Sequence, residues 1–411
     1  MSRLILTRVA APATPAVDKS AVYIDTADRR IKQLDDNGVI STLSNIGMQN
    51  LNVLTNGGLS IQQRVATAAT AIPSVSLTTR AGQVADRWAV TVGNVTTPLW
   101  TQIDTGTAVE TGLLAKYYGK ITQNTNAAKF IFSQFLANQD IAHLRGGKIR
   151  LSVKIKQFVG ANANYRLGLL QLNTSGTIDV SPAFISAIGG ASVEPTWGTN
   201  LVAINPDASP TGENGTISGA ALTIASTTNW VRSSCVFTIP SNCLNLCVVL
   251  YRDTIGAASD ACGIAEIQMT QGSDIVDFVA LPFEQELERC QRYFSKSFPL
   301  TTVPVASLTV AAAGTGAAGI IGKAGATALA VHIPINFPIK HWKAPTLTLF
   351  TPVNAGAVPM RIDGTTPASQ TTVATLGLTD TGANITATGD AAGTVGDLVG
   401  VHWTADSEFV A

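Results

Sequence analysis

Catalysis in this chain would have to come from a few side chains. Four histidines, His143, His332, His341 and His402, are scattered along 411 residues. Imidazole is the side chain best suited to moving protons near neutral pH. None of the four stands in the His-Glu-x-x-His spacing that grips zinc, and no Gly-x-Ser-x-Gly turn presents a serine nucleophile. His332 and His402 fall inside apolar strand-like runs, which suits hydrogen-bonded core or interface residues. Cleavage of a glycan would need two carboxylates facing each other across a groove. Asp25, Asp28, Asp35 and Asp36 crowd the N-terminal stretch, where no groove is expected. Asp253, Asp260 and Glu266 stand around strand ends and form the better set. The five cysteines, Cys235, Cys243, Cys247, Cys262 and Cys290, are odd in number, and no histidine neighbours the Cys243/Cys247 pair. Zinc sites bring paired Cys or His at short spacing. Buried free thiols are therefore expected, with no metal and no cofactor. Binding chemistry is easier to find. An indole can lie against the apolar face of a sugar while Asn and Asp complete the hydrogen bonds. Trp197, in the loop-rich stretch 188 to 220, is the candidate glycan contact, with a plain loop anchor as the alternative. Trp88 and Trp230 sit in strand patterns and are expected in the core.

Composition narrows the function classes. The formal net charge is 0 and only 13% of residues are charged, about half of the usual ~25%. No global field draws the chain to nucleic acid or to a membrane surface. The one local basic excess, Arg145 to Lys156, reads as the solvated polar face of a strand and not as a nucleic-acid stripe. Gly316-Ala-Ala-Gly-Ile-Ile-Gly322 lacks the Lys-Ser/Thr pair of a phosphate loop. No run approaches the ~18 uncharged apolar residues of a membrane span, so no membrane insertion is expected. The apolar run at the N-terminus is far shorter than a signal-peptide core, so synthesis in a cytoplasm is expected.

The elements that would position these residues are mostly strands. Residues 1 to 45 read as an extended arm. Ala10-Ala-Pro-Ala-Thr-Pro-Ala16 is small and proline-interrupted. Val22, Tyr23 and Ile24, then a run ending at Leu34, then the turn Asp35-Asp-Asn-Gly38, suggest a meander of two or three strands. Such a unit is too small to be stable alone and needs a partner or other copies; a flexible tail is the alternative. Residues 46 to 280 read as an antiparallel sandwich or jelly roll, from many short strands with turn signals between them. Ile149, Leu151, Val153 and Ile155 alternate with Arg150, Ser152, Lys154 and Lys156, the signature of a half-buried strand. Leu244 to Tyr251 is apolar throughout, as a central strand would be. Residues 300 to 411 read as a second β domain, poor in charge, with no carboxylate between Glu288 and Asp363. Prolines in Val331 to Pro338 and at Pro345 place those strands at edges or strand ends.

Between the two β regions, residues 281 to 299, lies the one helical stretch. Glu284, Glu286 and Glu288 precede Arg289, Arg292 and Lys296, the charge order a helix dipole favours. Pro282 suits a first turn. Phe283, Leu287, Cys290 and Phe294 recur at spacings of three and four and are expected to form one apolar face coupling the two β regions.

Several of these segments, in order, resemble bacteriophage fibre and spike proteins with a carbohydrate-binding-like jelly roll. Asn56-Gly-Gly-Leu-Ser-Ile-Gln-Gln-Arg64 is similar to the group's opening Asn-Gly…Ile-Trp-Gln-Arg segment, with Gln62 where the tryptophan usually stands. Asp86-Arg-Trp88, Leu144-Arg-Gly-Gly-Lys-Ile-Arg-Leu-Ser152 and Trp230 with Phe237-Thr-Ile-Pro240 resemble its next segments. Ile267-Gln-Met-Thr-Gln-Gly-Ser273 follows, with Thr270 replacing an acidic residue. Phe283-Glu…Glu286-Leu-Glu-Arg-Cys-Gln-Arg-Tyr293 is the best match. Phe337-Pro-Ile with Ala344-Pro-Thr-Leu-Thr348, then Trp403-Thr-Ala-Asp-Ser-Glu408, carry the likeness to the end. The arm itself resembles virion-attachment arms.

The resemblance implies a non-enzymatic structural virion protein, made in the bacterial host cytoplasm. Its arm (Val22, Tyr23, Ile24, Leu34) would hold it to other virion proteins, and its distal domains would bind a host surface glycan or receptor. A homotrimer is expected, because the arm cannot form a core alone and the charge-poor stretch 300 to 362 suits burial between copies. A capsid decoration protein (head fibre) and a glycan-degrading tailspike enzyme are the alternatives.

Overall fold

The computed structural model describes residues 8–9, 12–17, 19, 21–25, 31–34, 40–42, 51–65, 70–71, 82–92, 98–108, 110, 112–123, 129–160, 163–172, 185–187, 195–198, 201–207, 222–224, 229–252, 257–304, 320–323, 331–350, 360–361, 368–369, 372–388 and 398–408. Within them the protein is mainly β and its sheets are antiparallel but for one N-terminal strand pair. Two sheets face each other in a sandwich. The first runs Leu201–Ile204, Ala163–Leu172, Asn245–Arg252, Phe130–Leu136, Trp88–Val92 and Gln83–Ala85, with Leu222–Ile224 also on Ala163–Leu172. The second runs Val231–Thr238, Lys148–Val159, Ala261–Gln271, Tyr117–Thr122, Leu99–Asp104 and Thr70–Ala71. Asn245–Arg252 is fully buried and central, as its apolar run requires.

The core between the sheets follows from the period-two alternation of the strands. Ile149, Leu151, Val153 and Ile155 are each 0% exposed and meet Leu167, Leu169, Val248 and Leu250 from the other sheet. Trp88 stacks on Phe132 at 4.6 Å, and Trp100 on the same ring at 5.8 Å. Gly119 makes room for Trp100, since a Cβ there would meet the indole at 1.9 Å.

Four N-terminal strands form a sheet in which Arg8–Val9 pairs in parallel with Ala21–Asp25, followed by Ile31–Leu34 and Ile40–Thr42. Tyr23 and Leu34 are buried and Val22 is exposed. The Ile24 side chain and the turn at Asp35–Gly38 lie outside the described residues. In the C-terminal region, Leu398–Asp406 is the hub strand, paired with Phe294–Lys296, Ile320–Lys323, Thr346–Phe350 and Met360–Arg361. A separate sheet of Val331–Asn336, Gly382–Thr388 and Thr372–Leu376 packs against it through Ile333, Ile335, Ile385, Val401 and Trp403. The proline-bearing strand Val331–Asn336 is an edge, as Pro334 demands.

The helix is shorter than the charge pattern suggests. It spans Phe283–Gln291, and Phe294–Lys296 is already a strand of the C-terminal sheet. Phe294 is therefore buried as a strand residue, while Phe283 is 43% exposed. Of the expected apolar face, Cys290 is buried and Leu287 is half-buried. The other buried residue of the helix is Glu286. A carboxylate can occupy that face because it accepts the Asn56 backbone N–H and lies 3.8 Å from Arg289.

A buried polar network joins sandwich, helix and C-terminal sheet. Asn56, at φ 57, donates from Nδ2 to the carbonyls of Ile61 and Asp86 and accepts the Ile61 N–H. Trp88 Nε1 donates to the Asn56 carbonyl. Arg289 Nη2 reaches the carbonyls of Asn52, Val53 and Leu54, each at 3.1 Å. Arg87 pairs with Glu408 and lies 3.4 Å over the Tyr293 ring. Arg64 pairs with Asp406 and stands 3.7 Å from Glu408.

His341 is enclosed in the same region, bonded through Nε2 to Ser295 Oγ and through Nδ1 to Ser407 Oγ. Desolvation holds its pKa down from 6.5 to about 4, with Asp406 and Asp380 opposing and Arg64 assisting that shift. A depressed histidine gives stability that is complete above the unfolded pKa and is lost as pH falls through the folded one. The melting temperature is expected to fall between about pH 6.5 and 4, and less steeply in His341→Asn. Equal slopes in the two proteins would contradict this. His402, depressed by burial in the same direction, adds to the wild-type slope.

Candidate functional site

The polar face of Lys148–Val159 is not the solvated surface its sequence suggests. Arg150, Ser152 and Lys156 are all buried. Neighbouring strands and residues 110, 112 and 273 supply their partners. Arg150 donates to the Ser273 carbonyl and to Ser234 Oγ. Lys154 reaches the Gly112 carbonyl and pairs with Glu266 at 2.8 Å. Lys156 pairs with Glu110 at 2.7 Å. The cations are structural because each gives up water for a charged or carbonyl partner.

At one end of this face the cover ends and three rings come together. Tyr118 and Phe158 stand 5.7 Å apart, Tyr118 and Trp230 5.2 Å, and Phe158 and Trp230 6.0 Å. Trp230 and Phe158 are half-buried. Trp230 thus lies on the outside of the second sheet, not in the core, because it precedes Val231–Thr238 at the sheet edge and leans over a glycine. That glycine is Gly263, where a Cβ would meet Trp230 at 2.5 Å and Phe158 at 2.7 Å. Polar groups frame the rings. Glu110 accepts from Trp230 Nε1 at 3.1 Å and from Lys156. Lys120 and Lys156 place their ammonium groups 5.4 and 4.7 Å from the Phe158 centroid. Burial, with Glu110 nearby, pushes the Tyr118 hydroxyl up to about 12, so it stays a hydrogen-bond donor at any physiological pH. Aromatic rings beside a carboxylate and lysines can hold a ring-shaped, hydroxyl-rich ligand. Tyr118, Phe158 and Glu110 carry no motif; the sheet register that places Lys156 and Lys120 both opposite Gly263 is what gathers them.

Trp197 lies elsewhere. In strand Thr196–Trp197 it is half-buried, 6.1 Å from Tyr251, and packs on an apolar cluster on the outer face of the first sheet. Trp342 of the C-terminal region packs on the same cluster. Trp88, in contrast, is a core residue.

The carboxylates considered for catalysis have structural duties. Asp260 pairs with Arg252 at 2.6 Å and accepts the Ala257 N–H. Glu266 holds Lys154 and accepts backbone N–H groups of Leu114 and Ala115. They are not brought together, and Asp253, Asp28, Asp35 and Asp36 lie outside the described residues, as does the side chain of Asp25. His332 is exposed and bonded to Thr386, a departure from the expected core setting: it faces outward on an edge strand. His402 is buried, with Ser297 and Phe298 against it. All five cysteines are buried and free, and burial raises Cys243 and Cys262 to about 11. Among the described residues no group of three His, Cys, Asp or Glu could hold a metal ion, and no helix is long and apolar enough to cross a membrane.

No protein-family model matches the chain, and no curated protein matches it. Solved structures similar to it include TmCBM61 in complex with beta-1,4-galactotriose, at 10% identity over 54% of this chain and 99% of that one, with a TM-score of 0.29. A putative sugar binding protein from Bacteroides thetaiotaomicron matches at 12% identity over 54% and 100%, with a TM-score of 0.30. The enzymatically active domain of bacteriophage CBA120 tailspike protein 4 matches at 12% identity, over 49% of this chain and 22% of that one, with a TM-score of 0.27.

Proposed function

We propose that this chain is a non-enzymatic fibre or spike protein of a bacteriophage virion that binds a host surface glycan. The observation that carries the binding role is the Tyr118, Phe158 and Trp230 patch over Gly263, edged by Glu110, Lys120 and Lys156. Phe158 and Trp230 are the half-buried rings that can meet an apolar sugar face, with the buried Tyr118 packed beside them, and the charged groups offer directional hydrogen bonds. The virion role rests on the fibre-like motifs. What supports reading them as one assembly is that Asn56, Asp86-Arg-Trp88, the helix and Ser407-Glu408 share a single buried network. The non-enzymatic reading is supported by Asp260 and Glu266, both held in ion pairs. Attachment through residues 1 to 45 and association as a homotrimer belong to the same proposal.

A glycan array of bacterial surface polysaccharides, probed with the full chain, tests it. Trp230→Ala is expected to weaken the best hit more than about tenfold while leaving the melting temperature within a few degrees. Undiminished binding by the variant would remove the patch from the mechanism. Light scattering on the same sample reads the oligomer, and a stable monomer would end the trimer proposal.

A further inference from the structure

Tyr117 and Tyr118 are neighbours on one strand, so their side chains leave it on opposite faces. Tyr118 joins the aromatic patch. Tyr117 lines a separate cleft of about 400 Å³, within the ~300–1,000 Å³ of small-ligand sites. One wall is the sandwich, with Ser60 and Tyr117; the other is the helix and its lead-in, with Phe278, Phe283 and Glu286. The exposure of Phe283 thus has a structural setting: the ring is a cleft wall and not a core residue.

The polar groups define what the cleft could hold. Glu286 is 7% exposed and uses Oε1 for Asn56 and Arg289. Its Oε2 and the Ser60 hydroxyl have no protein partner among the described residues, although both residues line the cleft. The Oε2 atom is open to the cleft, so a ligand hydroxyl can donate to it in place of water. Desolvation already pushes the Glu286 carboxyl above its ordinary pKa. Lys116 stands at the rim, 5.2 Å from the Tyr117 centroid and 3.8 Å from Asp104. One carboxylate and one ammonium leave the lining balanced. An anion would meet Glu286 and a cation would meet Lys116. A neutral ring with hydroxyl donors and an apolar C–H face meets neither penalty and suits the aromatic walls.

We infer that this cleft is a second binding site, for a single neutral sugar residue. It shares a ligand class with the proposed function but rests on different residues. Saturation-transfer NMR with the full chain and a panel of neutral hexoses and N-acetylhexosamines tests it. Transfer to at least one sugar is expected, lost in Ala280→Trp, whose indole fills the cleft from an exposed position. Glu286→Gln, which keeps an acceptor for Asn56, should weaken the same sugar about tenfold. The Ala280→Trp melting curve should overlay the wild type. Absence of transfer to every sugar, or transfer in the Trp230→Ala background that survives addition of Ala280→Trp, would overturn the inference. Transfer that survives Ala280→Trp but is lost in Trp230→Ala would overturn the cleft alone and leave the patch standing. Transfer lost in Ala280→Trp and kept in Trp230→Ala would support the cleft and remove the patch.

Discussion

Arg87→Met is expected to destabilise the protein by about 3 kcal/mol, toward the low end of the ~3–5 kcal/mol for breaking a buried ion pair. The Arg87 side chain is 0% exposed and that of Glu408 1% exposed. Arg87 also donates to the Phe135 carbonyl and covers the Tyr293 ring. Methionine keeps much of the packing and removes the charge, so Glu408 loses its nearest partner in a dry site. Arg64 at 3.7 Å keeps the loss from reaching the upper figure. Because the pair ties the sandwich to the C-terminal sheet, the two should also separate in the unfolding curve. Arg87→Met/Glu408→Met, which removes both charges, should recover part of the loss. A single mutant within about 1 kcal/mol of wild type by urea denaturation would show that the pair contributes little beyond its own desolvation.

Asn56→Ala is the second large effect. The substitution strips three hydrogen bonds, to Ile61 N, Ile61 O and Asp86 O. All three belong to buried surroundings, and each unsatisfied group costs about 1–3 kcal/mol. Alanine also tolerates φ 57 poorly, where asparagine is at ease. A total of about 3–5 kcal/mol is expected, enough to leave little folded protein at 37 °C if the chain is of ordinary stability. Asn56→Gly separates the causes: it restores the backbone freedom and leaves the hydrogen bonds missing. If glycine proves as stable as asparagine, the side-chain bonds are not what holds this corner. If alanine and glycine are equally poor, the left-handed backbone contributes nothing measurable.

Both residues lie in stretches that stood out in the sequence for their resemblance to phage fibres, yet the role of neither could be read there. Asn56-Gly-Gly58 reads as a turn, and so it is in outline, but its asparagine is a buried clamp whose partners come from Ile61, Asp86, Trp88 and Glu286. Arg87 stands inside a strand signal, Asp86 to Val92, that says nothing of an ion pair. Its partner Glu408 is 321 positions away, and no local pattern links them.

The sequence by itself determined the strands and the faces they bury. Alternation in Lys148–Val159 and the apolar run in Asn245–Arg252 fix which side chains leave water, because period two is a property of the extended backbone. The buried free thiols and the antiparallel sandwich with a second β region follow from the same local rules. The tertiary structure decided what lies on the other faces. The cations opposite Ile149, Leu151, Val153 and Ile155 are polar in any reading, but only tertiary contacts bring Arg150 the Ser273 carbonyl, Lys154 the Gly112 carbonyl and Glu266, and Lys156 the Glu110 carboxylate. Trp230 is outside and not in the core because Gly263, two strands away in the sheet, leaves space for its ring. Helical spacing puts Phe283 on the apolar face, yet it is exposed while Glu286 is buried, because Asn56 presents an N–H to the carboxylate and the cleft receives the ring. Burial of a polar group depends on whether a distant segment brings it a partner, and that depends on contacts far apart in sequence.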